Sequence, residues 1–277
     1  MRILLLLIFL TIIGCENKKY DVTGTIIEVR TDVNEFLIHH DEIPGFMMAM
    51  TMPFSLKDSL DIKNYTIGDS VQFKLIIKHD KVLAYQFKLL GKGTISLPSN
   101  WLDDEYTAID IGEIIQNVTL LNTDSNTVSL KESDGKFRLI TYIFSRCPMP
   151  NMCPAAIIKN QYLAEEFKKE NNIEFFIISF DYVYDTPSIL KSNYSNLINN
   201  NPNIKIFSST GFINDIYSLT GQSNVSFWGI DENDIGHNLR SILIDPERRL
   251  LKTFEGTDWL PQKAYRDIKN IIKTYNL

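Results

Sequence analysis

Apolar positions between residues 20 and 91 come in short runs. "DVTGTIIEV", "NEFLIHH", "DSVQFKLIIK" and "KVLAYQFKLL" are rich in Val, Ile and Phe, and turn signals at Asp32–Asn34 and His79–Lys81 separate them. No helical period runs through this stretch, and five short strands of this kind predict a small all-β, OB-like barrel. Beyond residue 107 the pattern changes. "FRLITYIF" (137–144) and "IEFFIISF" (173–180) are continuous apolar runs of buried-strand length. "PAAIIKNQYLAEEFKKENN" predicts a helix with Pro154 in its first turn. "TPSILKSNYSNLINN" predicts another, with Leu190, Tyr194 and Leu197 on one face. "LRSILIDPERRLLKTF" predicts a hairpin about Asp245–Arg248, and "PQKAYRDIKNIIKTY" a last helix. Strands alternating with helices, closed by a hairpin, give an α/β layered domain. Between the two halves, "KGTISLPSNWLDDEY" carries Gly, Pro, Ser and acids and predicts a linker. The expected organisation is a leader at 1–14, a barrel at 20–91, a linker at 92–106 and the α/β domain at 107–277.

The leader reads "MRILLLLIFLTIIGC". Its apolar run from Ile3 to Ile13 spans about 16 Å as a helix, against the ~30 Å hydrocarbon core of a bilayer. It is too short to cross and reads as a secretory signal. "IIGC" resembles a bacterial lipobox, which implies a diacylated Cys15 as the first mature residue. The chain is then expected outside the cytoplasm, in a bacterial cell envelope, lipid-anchored and periplasm-facing. The formal charge is −6, with no basic cluster. This argues against nucleic acid as a partner, since phosphate binding needs grouped Lys and Arg.

Sulfur and imidazole are unevenly placed. Apart from the initiator, the methionines fall in two groups: Met47, Met48, Met50 and Met52 in "HHDEIPGFMMAMTMPF", and Met149 and Met152 in "SRCPMPNMCPAA". His39 and His40 flank the first group, and Cys147 and Cys153 bracket the second. Core methionines are scattered as gap-fillers. Thioethers and thiolates grouped with imidazole suit a soft metal such as Cu(I). Met50 and Met52 are two apart, so on a strand they share a face, and His40 ends the preceding strand. A Met-rich apolar strand with solvent-facing histidines fits the same residues. Cys147 and Cys153 open a helix after a strand, where the helix dipole favours a thiolate. Disulfide, redox couple and metal site all remain open from those two residues alone. His237, in "DIGHNLRSILID", is a candidate third ligand beside them.

"HDEIPGFMMAMTMPF" resembles the copper-binding segment of the CusF-like periplasmic family, small β-barrels that hold Cu(I). The resemblance implies His40, Met50 and Met52 as ligands, with Met47 standing where that family places a capping Trp. This chain has Trp only at 101, 228 and 259. From about 107 to 277 the chain resembles the Sco/SenC family. The resemblance rests on "IGEIIQNVTLLN", the cysteine loop, "ISFDYVYDTPSILK" and "GHNLRSILIDPERRLLKTFEG" in that order. It implies a thioredoxin-like fold and copper, Cu(I) with Cu(II) as a second state, on Cys147, Cys153 and His237. Cysteine spacing is CxxxxxC where the family has CxxxC, which brings Met149 and Met152 into consideration as contacts. Asp181 and Asp185 match family acids near the site, and Asp185 equally suits capping the helix at Thr186–Pro187. The expected function is a membrane-anchored copper chaperone, not an enzyme, serving a cytochrome oxidase subunit that carries CuA. The alternatives are a thiol–disulfide reductase with Cys147 and Cys153 redox-active, and a periplasmic copper sink.

Overall fold

The computed structural model describes residues 18–31, 33–47, 49–57, 62–78, 81–93, 108–230, 235–256 and 258–275. The leader, Cys15, Met48 and all of the linker beyond Gly93 lie outside these residues, and Met50 is described through its backbone alone.

The first half closes a barrel from β1 (Lys19–Arg30), β2 (Glu35–His40), β3 (Met50–Leu56), β4 (Asp69–Lys78) and β5 (Lys81–Lys92), in the order β1-β2-β3-β5-β4. This is the expected OB-like arrangement. Alternate residues point inward, so Val22, Ile26, Phe36, Ile38, Met52, Phe54, Val71, Phe73 and Leu75 fill the interior. Gly24 stands opposite His40 in the β1–β2 ladder. A Cβ there would lie 2.5 Å from the His39 carbonyl oxygen and 2.7 Å from the His40 Cα, so only glycine lets the two strands approach this closely.

The second half is an α/β layer built on a seven-stranded sheet. Its strands are β6 (Thr119–Asn122), β7 (Thr127–Ser129), β8 (Phe137–Ile143), β9 (Ile173–Ser179), β10 (Ile204–Ser208), β13 (Arg240–Ile244) and β14 (Leu250–Glu255), in the order β14-β13-β8-β9-β10-β6-β7. β8, β9 and β10 run parallel, and β13 joins β8 antiparallel. Every residue of β8 is buried, as expected of a central strand covered on both faces. The helices are α1 (Cys153–Glu166), α2 (Pro187–Asn200), α3 (Ile213–Gln222) and α4 (Pro261–Tyr275). α1 stops at Glu166, short of the "KKENN" included in its sequence pattern. A two-stranded ribbon, β11 (Phe227–Trp228) with β12 (Gly236–His237), stands apart from the main sheet.

Candidate metal centre

The cysteine loop leaves the carboxyl end of β8, where ligand sites of parallel sheets form, and ends as α1 begins at Cys153. The Cys147 N–H donates to the Phe144 carbonyl at 3.4 Å, and the Met152 N–H to the Met149 carbonyl at 3.1 Å. Pro154 occupies the first turn, where its missing N–H leaves no bond unmade. Two acids from the loop after β9 brace the stretch ahead of Cys147. The Asp185 carboxylate accepts the Ser145 N–H at 2.7 Å, the Ser145 hydroxyl, and the Ser179 hydroxyl at 2.5 Å. Burial raises its pKa against the pull of these donors. Asp181 accepts Arg146 Nε at 3.1 Å and Nη2 at 2.7 Å, and the guanidinium lies 4.5 Å from the Tyr184 ring centre. The capping role open to Asp185 falls instead to Thr186, whose hydroxyl accepts the Ile189 N–H. A carboxylate two residues before Pro187 satisfies more donors by turning inward.

Cys147, Cys153 and His237 come together, although β12 and the cysteine loop are far apart in the chain. One ligand atom from each lies within 4.8 Å of the other two, and all three residues are buried. Both cysteines are free thiols. His237 sits between the rings of Phe144, 5.3 Å away at 80°, and Phe180, 5.2 Å away at 47°. Its Nδ1–H donates to the Asn238 carbonyl at 2.9 Å. A carbonyl only accepts, so this bond puts the proton on Nδ1 and leaves the Nε2 lone pair bare. Nε2 is buried and has no hydrogen-bond partner. The pKa of Cys147 is lowered well below the usual thiol value, chiefly by the hydrogen bond from Cys153. Burial of the thiol acts against this lowering. The Cys153 thiol is pushed well up by burial and by its neighbour. Two sulfurs and an imidazole grouped within 4.8 Å suit a single soft ion, with small closing movements bringing the donors to metal–sulfur bonds of about 2.3 Å. Met149 and Met152 are buried in the same loop.

The barrel presents a second imidazole held in the same way. His40 is fully buried against the Phe54 ring, 5.7 Å away at 80°. Its Nδ1–H donates to the Asp41 carbonyl at 2.7 Å, and Nε2 is buried without a partner. Burial lowers its pKa from 6.5 to about 4. The β2–β3 register sets His40 opposite Met50 and Ile38 opposite Met52. Met52 is buried. Met47 is buried too, where its backbone bridges to Ile43. Phe46 stacks on Tyr20, with ring centres 4.3 Å apart. His39 takes the other face of β2 and bonds to the Thr51 hydroxyl at 2.9 Å. The shared feature of His40 and His237, an Nδ1–H tied to the next residue's carbonyl, leaves no trace in the sequence. It depends on backbone direction at a strand end, not on residue type.

Residues 108–273 match the family model described as SCO1/SenC. The chain belongs to the SCO1/SenC family. Residues 19–83 of this Sco-family chain match a second model, described as copper binding periplasmic protein CusF. Copper is the metal of both families. Among curated proteins, the chain is 26% identical over 163 residues to Protein SCO2, mitochondrial, of Saccharomyces cerevisiae, covering 55% of this chain and 52% of the relative. It is 22% identical over 198 residues to a Glucose-1-phosphatase of Providencia rettgeri, covering 66% of this chain and 45% of the relative. The chain thus spans about half the length of the curated relatives it matches. Among solved structures, Arabidopsis thaliana ScoI with copper bound superposes with a TM-score of 0.50 at 20% identity, covering 59% of this chain and all of that one. This likeness supports the thioredoxin-like fold of the Sco half. No helix among the described residues is long and apolar enough to cross a membrane.

Proposed function

We propose that this Sco-family protein is a copper chaperone of the bacterial envelope, anchored through a lipid on Cys15, that supplies copper to the CuA centre of a cytochrome oxidase subunit. The observation that carries the reading is the Cys147–Cys153–His237 cluster with its bare, buried Nε2. A thiol–disulfide exchanger needs a low-pKa thiol but no aligned imidazole lone pair. A Cys₂His copper site needs both. His40, Met50 and Met52, with Met47 beside them, form the second site, a neutral imidazole–thioether set suited to Cu(I). Asp181 and Asp185 hold the loop and do not ligate.

Elemental analysis after Cu(I) loading under reducing conditions should find close to two copper ions per chain, and Cys147→Ser with Cys153→Ser should remove one. In the chain with both cysteines intact, His237→Ala should weaken copper binding at the cysteine site by more than the ~10–100-fold that loss of an outer-shell partner costs. Unchanged copper affinity in that variant would defeat the chaperone reading. One observation favours reductase work as the second reading: the contrast between a lowered Cys147 and a raised Cys153 is that of an attacking and a resolving thiol. In that case His237→Ala would leave copper affinity untouched, while a dithiol assay on oxidase-derived peptides would show turnover.

A further inference from the structure

Beside both ligand sets the two halves come into contact. β12, which carries His237, lies against β3, the strand of Met50 and Met52, with Cα atoms of the two strands within 8 Å. Among the described residues both strands have an unladdered edge there. β3 is laddered to β2 along its length, but its other neighbour, β5, pairs with it only at Ser55 and Leu56. The Met50–Phe54 edge is therefore open in the barrel wall. Among the described residues β12 pairs with β11 alone. Strand edges left without a ladder are usually covered by another element. Thr51 faces away from Met52 by strand alternation, toward the outside of the barrel, yet it is only 2% exposed. His39, its partner across the β2–β3 ladder, bonds to the Thr51 hydroxyl and covers part of it. Among the described residues no ladder joins β3 to β12.

The chemistry on the two sides is unequal. One imidazole and two thioethers are neutral and leave Cu(I) with its charge of +1. Two thiolates and an imidazole overcompensate that charge and bind a soft cation more strongly. We propose that the β3–β12 contact is a transfer interface, across which Cu(I) passes from the His40–Met50–Met52 set to Cys147, Cys153 and His237 without release to solvent. This rests on the reading that both sets bind copper. Copper stays Cu(I) throughout. Its bonds to the barrel imidazole and thioethers break, bonds to two thiolates and His237 Nε2 form, and any remaining thiol proton leaves to water. The barrel is the point of entry and the cysteine site the point of delivery.

Two measurements on the full chain test this. In the first, Cu(I) from a weak chelator is supplied to the wild type and to an equimolar mixture of two chains, one carrying Met50→Leu with Met52→Leu, the other Cys147→Ser with Cys153→Ser. The readout is thiolate-to-copper charge-transfer absorption. Transfer within one chain operates at an effective concentration on the order of millimolar. At micromolar protein the wild type should therefore fill its cysteine site about 1,000-fold faster than the mixture, at a rate independent of protein concentration. In the second, the chain with both cysteines replaced is loaded with Cu(I) at the barrel and followed by NMR, and the Gly236 and His237 amides should shift. A wild type no faster than the mixture, or unmoved Gly236 and His237 signals in the loaded chain, overturns the interface while the copper stoichiometry stands. A cysteine site that takes up no copper in the wild type overturns the function reading itself.

Discussion

Acidifying the copper-free protein tests the burial of His40. Folding takes this imidazole out of water, and its pKa falls from 6.5 to about 4. Desolvation is the largest cause, and the bond from Nδ1–H to the Asp41 carbonyl opposes it only in part. Above pH 6.5 the ring is neutral in both folded and unfolded chains, so the burial carries no protonation penalty. As pH falls below 6.5 the unfolded chain takes up a proton that the folded chain refuses, and stability drops until the folded ring itself protonates near pH 4. A shift from 6.5 to about 4 is worth about 3 kcal/mol in full, and about 2.5 kcal/mol of that is spent between pH 7 and pH 4.5. The assay is urea unfolding at those two pH values, followed by NMR intensities of barrel amides so that the α/β half does not mask the result. His40→Gln keeps an N–H for the Asp41 carbonyl and removes the titration. The wild type should lose about 2.5 kcal/mol more than this variant on acidification. Equal losses in the two proteins, or a folded-state His40 signal that titrates near 6.5, would refute the burial argument.

Three further outcomes are expected. In the copper-free protein at neutral pH, Cys147 should be alkylated well ahead of Cys153, by peptide mapping after brief exposure to iodoacetamide, because its thiolate is stabilised while burial keeps the Cys153 thiol protonated; equal labelling would contradict the pairing. Gly24→Ala should destabilise the barrel by on the order of 2 kcal/mol, since the new methyl meets the His39 and His40 backbone, and it should weaken copper at the barrel while leaving the cysteine site's affinity unchanged in chelator competition. Asp185→Asn puts an amide N–H where Ser145 and Ser179 already donate. It should cost about 1–3 kcal/mol in thermal or denaturant unfolding and loosen the cysteine loop enough to lower copper affinity; full retention of both would show that the loop holds itself.

Much of the architecture was legible from pattern. β8, β9, α1, α2, the β13–β14 hairpin and α4 all lie where their apolar runs and periods placed them, because long buried strands and amphipathic helices impose their period on many residues at once. The elements that escaped were short or poorly marked. α3 spends its ten residues on Asn, Ser, Thr and Gly as well as Ile and Leu, and is held by burying Ile216 and Leu219 rather than by propensity. β6, β7, β11 and β12 are two to four residues long, too few for any alternation to declare itself.

At the metal centre the division follows the same physics. Residue types and spacing along the chain made a soft metal one of the open readings, since clustered sulfur beside imidazole is a statement about composition that folding does not alter. Three things depended on tertiary structure. His237 reaches the cysteines only because β11 and β12 form a ribbon beside the carboxyl end of β8. Asp185 is a brace and not a cap because Ser145, in the loop after β8, and Ser179, at the end of β9, converge on it. The bare Nε2 atoms of His40 and His237 follow from where each Nδ1 finds a carbonyl. Distance, burial and proton position are properties of residues brought together across the fold, and a linear order of side chains does not carry them.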